Sequence, residues 1–337
     1  MLTIYARNVE EAWAIFLLKM RNKAFTDHYT TTRNARGRAT QEITYPVSTL
    51  YSVPEECWLL DPERDANPFF HVYEALWILA GLNDVDRPAF YAKQIREYSD
   101  DGSTLNGAYG YRMRHYFGHD QLRQVIDLLR AEPDTRRAVV SLFDPKDITI
   151  TTRDVPCNTT IYFKQLGGSL NMTVCNRSND AVWGCYGANA VHFSFLLQYV
   201  AGTLGLSVGH YVQVSDSLHV YVDGESSKVW ERCLAAPLRL RQSYFPEWKV
   251  SMPMLWYADP QALFDHEVAA FLRNDDGTPR LNYNYQMPFF RDVVAPMFDA
   301  YMMHREGRTR EAMERLLALP KYGWLVASYQ WLKRRLK

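Results

Sequence analysis

Two runs of alternating or β-branched residues, 159–165 and 170–175, meet at Gly167-Gly168, and a long apolar stretch, 190–204, follows and stops at Gly205. The paired glycines predict a hairpin between two strands. The apolar stretch with a glycine at its end predicts a helix. A further strand region, 211–222, comes after it, so the order of elements is mixed α+β. Upstream, apolar residues at helical spacing (Ala12, Ile15, Phe16, Leu18) predict a helix over 9–20, and 30–41 reads as a basic loop with Arg33, Arg36 and Arg38 around Gly37. Asn67-Pro68 opens an apolar helix, 69–81, which carries a single acid, Glu74, within FFHVYEALWILAG. Residues 99–110 form a loop, 120–131 an amphipathic helix and 138–143 a strand. Beyond about residue 250, Pro-rich turns lead into three helical patterns, 288–304, 309–319 and 323–336, with no strand between them.

Charge and cysteine usage narrow the function. Lys plus Arg number 38 and Asp plus Glu number 38, so no overall field holds a polyanion, and neither nucleic acid nor a membrane surface is the expected partner. Any phosphate must be met locally. Five cysteines are scattered without CxxC pairs or histidines at ligand spacing, which argues against a disulfide framework and against bound metal. The expected setting is a reducing cytoplasm. The N-terminus carries no leader pattern, and no stretch approaches the roughly 18 apolar residues of a membrane span. The 337 residues allow one large domain or two ordinary ones.

Between 154 and 221 the polar residues stop looking like surface. Cys157 follows a proline and precedes a strand, a rigid approach that can present a thiol. Arg177, Ser178 and Asp180 crowd the end of the next strand, as either a salt-bridged turn or an anion site. His219 and Tyr221 stand two apart on a strand, hence on one face, able to share one hydroxyl.

In the order EALWILAG, NGAYGYR, DTRRAVVS, PCN, NRSNDAVWG, GANA and SDSLHVY, the chain resembles the thymidylate synthase family and its pyrimidine nucleotide hydroxymethylase relatives over roughly residues 25–230. The resemblance implies an α+β fold, a two-layer, thymidylate synthase-like mixed sheet with packed helices. It divides the chain into a catalytic domain, 1–250, and a mostly helical C-terminal extension, 251–337. Aromatic residues of the extension (Trp256, Tyr283, Tyr285, Phe289, Phe290, Trp324, Trp331) read as a stabilising cap.

The same resemblance implies a role for each residue. Cys157 is the thiolate that adds to C6 of a pyrimidine nucleoside monophosphate and makes C5 a carbon nucleophile towards 5,10-methylenetetrahydrofolate. Glu74 manages protons and water around the base, and Tyr109 helps remove the C5 proton. Arg177 and Ser178 hold the phosphate together with a loop arginine, taken as Arg36, and with Arg136 and Arg137 reaching across a homodimer. His219 and Tyr221 hold the sugar 3′-hydroxyl, and Asp180 faces the folate. Asn189 selects the base, since a carboxamide accepts from uracil N3–H while donating to O4.

Three departures from the synthase pattern favour water over hydride as the final reactant. Asn158 follows the nucleophile where synthases carry His, residues 91–98 lack a tryptophan, and WLKRRLK stands where an apolar tail is expected. Hydroxymethylation of dUMP is therefore the leading expectation. Thymidylate synthase, a dCMP or CMP hydroxymethylase, and a non-catalytic nucleotide-binding homologue are the alternatives.

Overall fold

A computed structural model describes residues 2–22, 29–34, 37–237 and 260–336. Arg36 and Trp256 lie outside the described residues. β1 (Leu2–Ala6) leads into α1 (Val9–Arg21), capped by Asn8, whose side chain accepts from the Glu11 amide at 3.0 Å. β2 (Tyr29–Arg33) and β3 (Ala39–Ile43) pair antiparallel where the sequence reading has a basic loop. The threonines of this segment are β-branched and suit a pleated pair, and the hydroxyls of Thr32 and Thr40 meet across it at 2.8 Å.

β4 (Val47–Tyr51) precedes α2 (Pro68–Leu79). The Asn67 side chain accepts from the amides of Phe69 and Phe70 and starts α2 with Pro68 in its first turn. Two short turns, α3 (Asp86–Ala89) and α4 (Tyr109–Tyr111), come before α5 (Gln121–Ala131), which Asp120 caps. β5 (Val139–Ser141), β6 (Asn158–Leu166), β7 (Ser169–Asn176) and β8 (Asn179–Asp180) follow. The hairpin of β6 and β7 turns at Gly167-Gly168 with φ of 58° and 79°, left-handed at both positions as a type I′ turn requires.

α6 (Asn189–Leu204) ends on Gly205 at φ 68° and is buried on nearly every side, so it lies within the core. The expected single strand region after it divides at Asp216-Ser217. β9 (Ser207–Ser215) and β10 (Leu218–Tyr221) belong to different sheets, and α7 (Gly224–Ala235) follows. α8 (Pro260–Phe271) is a helix the periodicity did not suggest. α9 (Ala295–Arg305), α10 (Thr309–Leu317) and α11 (Gly323–Lys333) match the three predicted helices.

One sheet has the order β1-β4-β9-β7-β6-β5 and the other β2-β3-β10-β8. β7 and β9 are parallel, joined through α6, while β6–β7 and β4–β9 are antiparallel. α2 and α6 pack together, and α8, α9 and α11 close over them. Phe69 of α2 meets Tyr301 and Trp331 at ring separations of 4.7 and 5.4 Å. Among the described residues no helix is long and apolar enough to cross a membrane.

Candidate active site

Cys157 sits at the mouth of β6, half-buried, on a segment braced from two sides. On one side the NGAYG loop grips it: the Gly107 amide donates to Asp154 Oδ2 at 2.6 Å and Asn106 Nδ2 to the Asp154 carbonyl at 3.0 Å. On the other, Arg177 donates through Nε to the Pro156 carbonyl and through its terminal nitrogen to that of Val155, both at 3.0 Å. The Arg177 amide also donates to the Cys157 carbonyl at 2.9 Å. The described contacts of Arg177 are thus backbone oxygens of the cysteine's own approach. Behind the loop, fully buried Arg112 binds Asp147 in a fork, 2.6 and 2.8 Å, and reaches the carbonyls of Asn106 and Leu142. Burial would raise the Asp147 pKa, but the Arg112 hydrogen bonds outweigh it and lower it.

Tyr109 points at the same place. Burial pushes its phenol well up, with Cys157 and Asp154 adding to the shift, and Asn158 hydrogen-bonds it. Its approach depends on Gly110, where a Cβ would fall 2.0 Å from the Ile78 carbonyl of α2.

Glu74, expected to manage protons and water around the base, faces His192. Its Oε2 lies 2.9 Å from His192 Nε2, an ion-pair distance off the line of the ring N–H. His192 is one turn beyond Asn189 on α6, so the spacing GANAVH was the signal that could have found it. His71, one turn before Glu74, is also buried. Burial, then the neighbouring His192 and Arg64, hold its pKa down near 3, so this ring stays neutral.

Asn189 is buried in a chain of amides. Its Oδ1 accepts from Asn158 Nδ2 at 3.3 Å, and its Nδ2 donates to Asn179 Oδ1 at 3.0 Å. Asn158 accepts in turn from Asn176, and Asn179 donates to Gln213 Oε1 at 2.9 Å and Ser215 Oγ at 3.0 Å. Of this chain the sequence reading named Asn189 and Asn158 alone.

His219 and Tyr221 share a face of β10 as predicted, with ring centroids 5.4 Å apart. His219 is paired with Asp180 on β8. Asp180 accepts from the amides of Val182 and Trp183, and burial raises its pKa against the opposing pull of His219. Of the loop arginines, Arg38 binds Asp223 at 2.8 Å and lies 4.4 Å from the Tyr221 ring, while Arg33 donates to the Gly37 carbonyl. Ser178 stands half-buried beside Arg177. Arg136 and Arg137 lie apart from this group, exposed on the turn between α5 and β5, where Arg137 pairs with Glu132 at 2.7 Å.

Residues 31–253 match the family described as Thymidylate synthase. A deoxyuridylate hydroxymethyltransferase of Pseudomonas phage M6 is 37% identical over 344 residues, covering 99% of this chain and 95% of that protein. One of the same description from Bacillus phage SP01 is 42% identical over 208 residues, 58% of this chain and 54% of the relative. A putative thymidylate synthase of Methanothermobacter marburgensis is 30% identical over 221 residues, 63% of this chain and 90% of the relative.

Proposed function

This chain belongs to the thymidylate synthase family, and we propose that it transfers a one-carbon unit to C5 of dUMP as a hydroxymethyl group. The observation that carries this reading is Cys157, half-buried on a doubly braced loop, next to an Asn158 that is hydrogen-bonded to Asn189. The full-length likeness to a phage deoxyuridylate hydroxymethyltransferase supports it.

In this reading the Cys157 thiolate adds to C6 of uracil, which turns C5 into a nucleophile towards the one-carbon unit. 5,10-methylenetetrahydrofolate supplies that unit. Asp180 and the neighbouring Trp183, 45% exposed, offer a carboxylate and a flat ring that fit its pterin. Tyr109 relays the C5 proton, and Glu74 with His192 orders water at the base. An exocyclic methylene forms at C5 as tetrahydrofolate leaves; Asn158 keeps that side polar, so water adds to the methylene and the Cys157 thiolate is expelled from C6. Arg177, Ser178 and Arg36 hold the phosphate with Arg136 and Arg137 of a second copy, and His219 and Tyr221 hold the 3′-hydroxyl.

The uncovered sheet face supports a homodimer. On β9, Tyr211, Gln213 and Ser215 are buried, whereas Val212 and Val214 point to the partly exposed side with Leu50, Cys175 and Tyr162. A strand that turns its valines outwards fits a sheet covered by another copy. All five cysteines are free thiols, which fits a cytoplasmic setting.

Incubation with dUMP and methylenetetrahydrofolate, read by mass spectrometry, is expected to give 5-hydroxymethyl-dUMP without dihydrofolate absorbance. Formation of dTMP with dihydrofolate overturns the product assignment. Cys157→Ser is expected to lower turnover at least about a thousandfold with the fold unchanged, and full activity in that variant refutes the covalent mechanism.

A further inference from the structure

The amide chain has a direction, and the direction is fixed at one end. Gln213 Nε2 donates at 2.9 Å to the carbonyl of Cys185, which can only accept. Tyr51 gives its own hydrogen to that carbonyl at 3.3 Å, so its oxygen is left to accept from Gln213 Nε2, also at 3.3 Å. Both contacts force Gln213 Oε1 to face Asn179, and an oxygen there demands the Asn179 NH2. Asn179 Oδ1 then faces Asn189 and demands its NH2, and Asn189 Oδ1 must take the proton of Asn158. An amide's orientation follows from its network, and here each link leaves the next one choice.

We infer that Gln213 and Asn179 are positioning residues that set base specificity by fixing which way the Asn189 carboxamide points. Resting on the proposed nucleotide reading, the inference adds residues that never touch the base. Asn189 has one N–H and one lone pair left after its two described bonds. In the fixed orientation these meet an edge that donates from N3 and accepts at O4, which is uracil. Cytosine presents the reverse pattern, an acceptor at N3 and a donor at N4, and would need the amide turned over. Turning it over sets oxygen against oxygen at Asn179 or, if Asn179 and Gln213 turn with it, at the Cys185 carbonyl, which cannot turn. Ser215 does not fix the direction, because a hydroxyl donates or accepts as required.

Gly184 makes room for this arrangement. A Cβ at that position would lie 2.7 Å from Asn179 Oδ1 and 3.1 Å from Asn189 Nδ2.

The test compares dUMP with dCMP, by kcat/KM and by calorimetric binding, in wild type, Gln213→Leu, Asn179→Ser and Asn179→Asp. Leucine removes the anchor, and serine replaces a directional link with a hydroxyl that works either way. The carboxyl of aspartate keeps an acceptor for the Asn189 NH2, and its other oxygen, protonated in this buried setting, donates to Gln213 Oε1, so Asn189 stays as it is. The preference for dUMP is expected to fall about tenfold or more in Gln213→Leu and Asn179→Ser, the worth of one hydrogen bond, and to persist in Asn179→Asp. A structural role alone would lower kcat/KM equally for both nucleotides. A wild-type ratio in both Gln213→Leu and Asn179→Ser overturns the inference, as does loss of preference in Asn179→Asp. If either breaking variant fails to fold, the other carries the comparison. Equal wild-type binding of the two nucleotides also overturns it, whereas wild-type binding that favours dUMP without turnover refutes the proposed reaction and leaves the binding ratios to decide the wiring.

Discussion

α6 contributes to two buried regions built on different physics, and α2 shares the second. At one end, Asn189 of α6 and its neighbours form a polar chain in which every contact has a donor and an acceptor. Further along, Phe69 of α2 and Phe195 of α6 meet the rings of Tyr301, Trp331, Phe289 and Trp324 at 4.7–5.9 Å. The aromatic seam has volume but no direction: a ring buries much area and tolerates edge or tilted contacts alike. The amide chain contributes modestly to net stability, since each bond replaces one to water, yet it specifies orientation atom by atom. The seam is therefore where stability should be lost on mutation, and the chain is where selectivity should be lost.

Trp324→Ala makes the sharpest cut. The side chain is 1% exposed and packs on Phe195, so its loss leaves a cavity costing about 3–5 kcal/mol. Urea unfolding should show that drop, while the folded fraction keeps the wild-type ratio of dUMP to dCMP. A changed ratio would show that the two regions are coupled through α6. Gly184→Ala probes the other region. Its Cβ crowds Asn179 and Asn189, an overpacking cost of about 1–3 kcal/mol. Turnover of dUMP should fall by more than the stability loss accounts for, and an unaltered kcat/KM would show that the amides re-form around the methyl group.

The difference between the regions also explains what the sequence revealed. Helix α2, with its Asn67-Pro68 start, and the β6–β7 hairpin at Gly167-Gly168 are local patterns, and they formed where the spacing placed them. The segment carrying Cys157 was legible because proline and strand adjoin it. Gln213 was not legible. Within YVQVS, alternation puts Val212 and Val214 on one face, and burial of apolar surface would turn that face inwards. The structure buries Tyr211, Gln213 and Ser215 instead, because partners 28 to 162 residues away satisfy the amide. The β2–β3 hairpin was hidden in the same way: a polar, threonine-rich segment reads as loop until β10 pairs with β3. His192 escaped because its partner, Glu74, lies on another helix.

A third, partly buried group separates the two kinds of polarity by titration. Glu10 on α1 accepts from the Leu60 amide at 2.8 Å, and burial raises its pKa to about 7, against the lowering effects of that bond and of Arg64. In the unfolded chain it titrates near 4.5. Between those values the native state holds a proton that the unfolded state has released. Its contribution to stability is thus complete below about pH 4.5 and declines as pH rises through about 7. Glu10→Gln keeps an oxygen for Leu60 and removes the titration. The gap between the two proteins should therefore shift by about 1–3 kcal/mol in the variant's favour from about pH 5 to about pH 8, read by urea unfolding. Amides do not titrate in this range, so Gln213→Leu should change stability by the same amount at both pH values. A pH-independent gap for Glu10→Gln would mean the carboxyl is solvated in the native state. A pH-dependent one for Gln213→Leu would mean the amide chain leans on a titrating neighbour, with Asp180, next to Asn179 and raised by burial, the first candidate.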